Sequence, residues 1–265
     1  TGWFQSEKSL FLFSYFFNIN TDLAKKGTFH SHYWGGLHDL MREMGIPGNW
    51  LQHYFRHTAV PSPQKALNLV QRFNQKRLEQ GFHTFLDSYL SWRVIFRVLK
   101  RWFRLVLISR DLSEIKHAFK LQGSNMSLWP LMQQDWYNSM RGRAAIDNLL
   151  WIELFNTAVS DLPHQRVGFY LCENQSWERA LTHAWRKHGH GQLIAVPHST
   201  IRFWDLRFFA DPRTINSSNL YPMPQADLTA LSGKVAIDNC LKAGYPKKAI
   251  VECEALRYLY LDKLR

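Results

Sequence analysis

The sequence predicts an α/β fold in which helices flank a parallel β-sheet, and two observations carry this prediction. Residues 167–172 form a short run of apolar, aromatic and β-branched side chains, which is typical of a buried strand. Apolar side chains at helical spacing follow in residues 177–185, before a second apolar run in residues 193–196. A strand, a helix and a strand in this order favour a right-handed crossover between neighbouring parallel strands.

The helix of this unit has recognisable ends and a large aromatic residue on its apolar face. Ser176 is the predicted N-cap, and Gly189 is predicted to end the helix just after Lys187 and His188. Trp177 falls on the apolar face, so we expect it to lie in the core. The alternative is that Trp177 binds substrate as a platform under a sugar ring.

Further elements are predicted before this unit. The aromatic run in residues 9–19 predicts a buried strand, and Pro63 or Gln64 begins a helix that Gly81 ends. Residues 82–107 predict one long helix or two shorter ones, and residues 106–109 predict a short strand.

The domain organisation is predicted from a change of composition near residue 210. We expect residues 1–210 to form one α/β domain with a helical insertion at about residues 61–160. Three prolines in residues 210–225 are typical of a linker or a long loop. Residues 211–265 are therefore expected to form a linker and the start, or a fragment, of a second α/β domain.

Composition narrows the classes of partner. The 265 residues are 46% hydrophobic and 15% aromatic, which is more aromatic area than a core of this size needs, so a groove or an interface is expected. The net charge of +12 favours phosphorylated substrates, nucleic acid or an anionic membrane surface. Nucleic acid is the least favoured, because no nucleic-acid-binding motif is present. Three scattered cysteines predict neither a disulfide framework nor a zinc site, and indicate a reducing compartment.

Candidate catalytic and binding residues follow the predicted strands. Glu173 and His198 come after two neighbouring strands, so they should meet at one edge of the sheet, where α/β proteins bind ligands. Glu173 is the candidate general base; the alternative is an acid that accepts hydrogen bonds from the helix N-terminus. His198, Arg202 and Lys234 are candidates for binding a phosphate or an acidic sugar. A structural histidine and a surface ion pair are the alternatives for His198 and Arg202.

Two further histidines, His30 and His32, are expected to line the wall of a cleft. Their spacing could suit a metal ion on a strand, but no nearby acidic or cysteine ligand completes the set, so no metal is predicted.

One predicted helix carries a row of basic residues. Along one side lie Arg93, Arg97, Lys100, Arg101 and Arg104, with Trp92 and Trp102 beside them. A core helix with a solvated basic face is one interpretation. The other is a helix that lies on an anionic membrane surface, with its aromatic residues in the interface.

Several segments resemble a known class of enzymes. The run ENQSWERAL, the VPHS that follows the next strand, and the later QADLTALSG and LKAGYPKKAIVECEALRY resemble the middle of bacterial glycosyltransferases with two Rossmann-like domains, the GT-B type. The early segments SYFFN, GTFHSHYW and NWLQHYF resemble surface-carbohydrate biosynthesis proteins that act on capsule or lipopolysaccharide.

This resemblance implies a function and a place in the cell. It implies a Rossmann-like, GT-B-like fold and a glycosyltransferase that moves a sugar from a nucleotide-sugar donor, a CMP-linked acidic sugar among the candidates, to a glycan or lipid-linked acceptor. Such an enzyme is expected in the cytoplasm, peripheral to the inner membrane. About 40 residues follow Asp227, too few for a second domain, so an acceptor-side N-terminal half is expected. The alternative is a non-catalytic module that binds an anionic glycan or the inner-membrane surface.

Overall fold

The computed structural model describes residues 2–120, 123–199, 201, 206–208 and 223–254. Seven strands form one sheet in the order β3-β2-β1-β4-β5-β6-β7, and every pair of neighbours is parallel. The predicted α/β class with a Rossmann-like parallel sheet is therefore confirmed. The strands are β1 (Leu10–Tyr15), β2 (Gly48–His53), β3 (Phe82–Phe85), β4 (Val167–Cys172), β5 (Gln192–Pro197), β6 (Leu228–Leu231) and β7 (Ile250–Glu252).

Helices connect these strands and cover both faces of the sheet. In the described part of the chain they are α1 (Thr21–Lys25), α2 (Leu37–Glu43), α3 (Pro63–Gln75), α4 (Arg77–Gln80), α5 (Trp92–Asp111), α6 (Trp129–Met140), α7 (Arg143–Asp161), α8 (Ser176–Lys187) and α9 (Lys234–Lys242). Strand β1 is an interior strand, the third of the seven, and its side chains alternate between the two faces.

One face of β1 packs on α7 and α8, and the other packs on α3 and the segment before α2. On the first face, Phe11 contacts Trp185, and Phe13 contacts Phe155 and Trp177. On the second face, the Ser14 hydroxyl accepts a hydrogen bond from Trp34 Nε1, and Phe16 contacts Phe73 of α3. Because both faces of β1 are covered, apolar residues occupy successive positions along it and do not alternate with polar ones.

The segment that follows α4 differs from the prediction. Residues 82–85 are strand β3 rather than the start of a helix, because they pair with β2 at the edge of the sheet. Residues 106–109 are not a strand; they lie inside α5, which Ser91 caps by accepting a hydrogen bond from the backbone N–H of Val94. No glycine or proline interrupts residues 92–111, so a locally β-branched stretch continues the helix that precedes it.

Strand β2 had not been predicted, because its sequence GNWLQH contains polar residues, yet all six residues are buried. Hydrogen bonds to distant residues satisfy part of this buried polar surface. Asn49 Nδ2 donates to the Phe4 carbonyl and to Gln165 Oε1. Gln52 Nε2 lies 3.4 Å from His83 Nδ1.

The last two strands extend the same sheet. Leu228 of β6 pairs with Ile194 of β5, and Ile250 of β7 pairs with Thr229 of β6. The strands on which a second domain was expected to begin are thus hydrogen-bonded to the strands of the first. The expected boundary near residue 210 lies outside the described residues, and the division into two domains stays a prediction.

Candidate functional site

A cleft opens at the carboxyl edge of the sheet, between the ends of β1 and β4. These strands are neighbours, but the chain leaves β1 toward β2 on one side and leaves β4 toward β5 on the other. Connections that diverge in this way leave a crevice, which is where open α/β sheets bind ligands. The cavity measures about 530 Å³, and its lining includes Tyr15, Phe17, His53, Phe55, Trp151 and Glu173.

Two side chains contact the carboxylate of Glu173, and a third supports one of them. The Tyr15 hydroxyl donates to Oε2 at 3.1 Å, and His198 Nε2 lies 3.2 Å from Oε1. Trp177 Nε1 in turn donates to the Tyr15 oxygen at 3.2 Å. Burial, together with the adjacent Glu173 carboxylate, raises the pKa of Tyr15, so this hydroxyl stays protonated and remains a donor. The Glu173 side chain is 26% exposed and can therefore meet a ligand.

A second carboxylate fixes the backbone that carries Glu173. Glu178 is 3% exposed and accepts hydrogen bonds from the backbone N–H groups of Glu173, at 2.7 Å, and Gln175, at 2.8 Å. Gln175 is the N-cap of α8 and forms a capping box with Glu178, so the predicted N-cap, Ser176, was wrong by one residue. Between them, Asn174 adopts a left-handed backbone with φ 56°, which asparagine tolerates better than most residues. Glu173 thus sits on a turn that is hydrogen-bonded at both ends.

Aromatic rings and one buried histidine form the walls beside Glu173. The Tyr15 and Phe55 rings lie 5.5 Å apart, and His53 contacts both Phe55 and Trp151, at 4.3 and 4.8 Å between ring centroids. His53 is 8% exposed, and its Nδ1 has no hydrogen-bond partner among the described residues. Burial lowers the pKa of His53 to about 4, so the ring is neutral near pH 7. No sequence motif singles out His53; the available signal is the dense aromatic and histidine content of residues 49–57.

The structure brings His198 to Glu173, as their positions after β5 and β4 predicted, and it places Trp177 against Tyr15. The His198 side chain is 14% exposed, and its ring packs edge-on against Tyr33. Trp177 is 5% exposed and contacts Phe13 and Phe155, so the expectation of a core residue agrees with its surroundings, although it also closes the floor of the cleft.

Other candidate residues lie elsewhere. His30 packs against His32 and His38 and lines a separate cavity between α1, α2 and α4. Lys234 is exposed at the start of α9, after β6, two strands away from β4. Arg202 lies outside the described residues. A cation that was not selected, Arg207, donates from Nη1 to the Glu173 carbonyl oxygen at 3.3 Å.

The row of basic residues on α5 is divided between two environments. Arg97 and Arg101 form ion pairs with Glu153 of α7, whose side chain is 1% exposed. Trp102 donates from Nε1 to the Arg141 carbonyl. These three side chains therefore join α5 to the helices beside it, and a place for them at a membrane surface stays a prediction. Arg93, Lys100, Arg104 and Trp92 are exposed.

The chemistry of the cleft is inferred from the geometry of its residues. Among the residues that the structure describes, no group of three or more His, Cys, Asp or Glu side chains is placed to hold a metal ion. No family model matches this chain, and no curated protein and no solved structure is significantly similar to it.

Proposed function

We propose that this chain is a glycosyltransferase, or the N-terminal half of one, that transfers a sugar from a nucleotide-sugar donor to a bacterial surface glycan. The observation that carries the proposal is the position of Glu173. Its carboxylate lies where the strand connections diverge, touches Tyr15 and His198, and borders a cleft with aromatic walls. We assign this cleft to the acceptor sugar.

The chemistry of glycosyl transfer requires a group with the properties of Glu173. The acceptor oxygen attacks the anomeric carbon of the donor, the bond from that carbon to the donor phosphate breaks, and the hydroxyl proton must leave. Glu173 would take that proton as general base. Tyr15 and His198 hold the carboxylate in one orientation, which keeps the oxygen that receives the proton in place.

The walls of the cleft suit a sugar ring. The apolar faces of Phe17, Phe55 and Trp151 can pack against the C–H groups of a pyranose, while Glu173 and His53 can bind its hydroxyls. A neutral His53 can accept or donate a hydrogen bond without placing a charge among these rings. Arg56 in the cleft and Arg207 beside the Glu173 backbone can stabilise the leaving phosphate of the donor, for which a CMP-linked acidic sugar is one candidate.

The test is hydrolysis and transfer with a panel of nucleotide sugars, including a CMP-linked acidic sugar, in the presence of short glycan acceptors. We expect Glu173→Gln to lower the rate by roughly 10²–10⁴-fold, because the amide cannot take the proton. The amide oxygen can still accept the Tyr15 hydrogen bond, so the melting temperature should change little.

Glu43→Gln is the matched control, since Glu43 is exposed on α2 and the substitution removes the same charge. An unchanged rate in Glu173→Gln, with a normal rate in the control, would remove Glu173 from the chemistry.

The net charge of +12 and the aromatic cleft also favour a second candidate, a module that binds an anionic glycan without turnover. Calorimetry separates the two. A module binds acidic oligosaccharides, shows no hydrolysis of any nucleotide sugar, and keeps its affinity in Glu173→Gln. A transferase loses turnover in that variant.

A further inference from the structure

Helix α5 exposes a line of large apolar side chains, which we call the apolar stripe. It consists of Trp92, Phe96, Leu99 and Phe103, which are 75, 68, 48 and 61% exposed. Their spacings of four, three and four residues place them on one side of the helix. The 20 residues of α5 give a helix of about 30 Å, and Leu107, 42% exposed, continues the line.

The opposite side of α5 packs on neighbouring helices. The apolar stripe is therefore not exposed because the helix is loosely held. α5 runs antiparallel to α7. Near the start of α5, Arg97 pairs with Glu153 in the second half of α7, whereas Ser109, near the end of α5, accepts a hydrogen bond from Arg141, just before α7 begins. The residues that α5 buries are small, Val94 and Val98 among them. A helix that packs Val94 and Val98 and leaves Trp92 and both of its phenylalanines outside presents a surface that marks an interaction site.

Cations border the apolar stripe on one side. Arg93, Lys100 and Arg104 are exposed and form no ion pair with another residue in the described ranges. Across α5 there are six basic residues and a single acid, Asp111, at the last position. Such a surface has apolar side chains beside cations that form no ion pair. It complements a partner surface with a negatively charged outer layer and an apolar layer beneath it.

We propose that α5 docks on an anionic lipid surface, with the apolar stripe at the boundary of the acyl chains and Arg93, Lys100 and Arg104 among the headgroups. In a symmetric contact with a second copy of the chain, each stripe would face its equivalent, and the second α5, with six basic residues and one acid, would offer little negative charge to the cations. An anionic lipid surface can contact both the apolar stripe and the cations beside it. None of the described helices is long and apolar enough to span the membrane instead. This inference goes beyond the proposed transfer reaction and does not depend on it.

Vesicle flotation tests the proposal with the wild-type chain and three variants. The vesicles are phosphatidylcholine with and without phosphatidylserine, at low and high salt. The charge variant is Arg93→Gln, Lys100→Gln, Arg104→Gln; the stripe variant is Phe96→Ser, Phe103→Ser. The control variant, Lys65→Gln, Arg72→Gln, Arg77→Gln, removes three exposed cations from α3 and α4.

We expect the wild type to bind vesicles with phosphatidylserine at low salt and to be released by salt. A cation near such a surface strengthens binding by about fivefold, so the charge variant should bind more than about tenfold more weakly. The stripe variant should also bind weakly, and the control should bind almost as the wild type does.

Three results would overturn the proposal. They are a wild type that ignores anionic vesicles at low salt, a stripe variant that binds as the wild type does, and a control that weakens as much as the charge variant. Size-exclusion chromatography adds a fourth: self-association of the wild type that the stripe variant abolishes, without vesicle binding, would assign the stripe to a second copy. Circular dichroism of the variants confirms folding, and the nucleotide-sugar assay is run without lipid, so the two proposals can fail separately.

Discussion

His38 and His83 both stack on the indole of Trp50, with interplanar angles of 15° and 9°. Burial is the largest cause that lowers the pKa of each histidine to about 3. Both rings are therefore neutral in the folded protein at any pH near 7, whereas the same side chains in the unfolded chain gain a proton below about pH 6.5. The folded state binds fewer protons over that range, so acid favours unfolding.

This difference predicts a loss of stability as the pH falls from about 6.5 toward 3. For each histidine that stays neutral, the free energy of unfolding should fall by about 1.4 kcal/mol per pH unit. His83→Phe keeps a ring against Trp50 and removes the titration, so its free energy of unfolding should depend less steeply on pH by that amount. Urea unfolding at several pH values measures the slope, whatever the absolute stability of the variant.

His183→Phe serves as the comparison, because it makes the same change at a histidine that is exposed on α8. Equal slopes in the wild type and in His83→Phe would mean that His83 gains its proton in the folded state as readily as in the unfolded chain.

The packing of α5 on α7 depends on a carboxylate that is far more buried than its partners. Glu153 is 1% exposed, whereas the Arg97 and Arg101 side chains are 44 and 50% exposed. Arg97 also donates to the Thr157 hydroxyl. Glu153 and its two arginine partners are therefore not equivalent. Only the buried carboxylate needs the ion pairs to offset the free energy lost when it leaves water.

We expect substitutions at the two ends to have unequal costs. The double change Arg97→Ala, Arg101→Ala leaves a buried carboxylate without a partner and should lower the free energy of unfolding by about 3–5 kcal/mol. Glu153→Gln leaves two cations that can turn to solvent, and should cost only about 1 kcal/mol. Urea denaturation of each variant measures the difference.

Arg93→Ala, Arg104→Ala is the matched pair on the exposed side of α5 and should change the stability by less than about 0.5 kcal/mol. If Glu153→Gln destabilised the protein as much as loss of the two arginines, the buried charge would not be the source of the cost.

In the part of the chain that the structure describes, one sheet spans both predicted domains, with β6 and β7 at its edge. The hydrogen bonds from β5 to β6 tie the two parts together, so we expect them to unfold together. Each part has its own reporter. All 11 tryptophans precede residue 210, whereas Cys240 on α9 is fully buried.

Tryptophan fluorescence and thiol labelling should therefore show the same urea midpoint. The measurement uses a Cys172→Ser, Cys253→Ser background, so that only Cys240 reacts. Labelling of Cys240 at a urea concentration that leaves the fluorescence native would indicate that residues 211–265 unfold on their own, as a separate domain would.

The sequence by itself determined the fold class and one half of the cleft. The alternation of strand and helix around residues 167–197 was sufficient to predict a parallel sheet, because periodicity records which sides of an element are buried. It also placed Glu173 and His198 together, since neighbouring parallel strands end at the same edge.

Only the tertiary structure decided the partners of those residues. Tyr15 and Glu173 are 158 positions apart, and Arg97 and Glu153 are 56 positions apart, so no local pattern relates them. Strand β2 was missed for the same reason, because its Asn49 side chain is buried where the distant Gln165 satisfies it. His53 was missed because its neighbour in the cleft, Trp151, is also distant in sequence. In the sequence, the basic residues of α5 form one uniform row. In the structure, Arg97 and Arg101 pair with the buried carboxylate of Glu153, whereas Arg93, Lys100 and Arg104 border the apolar stripe.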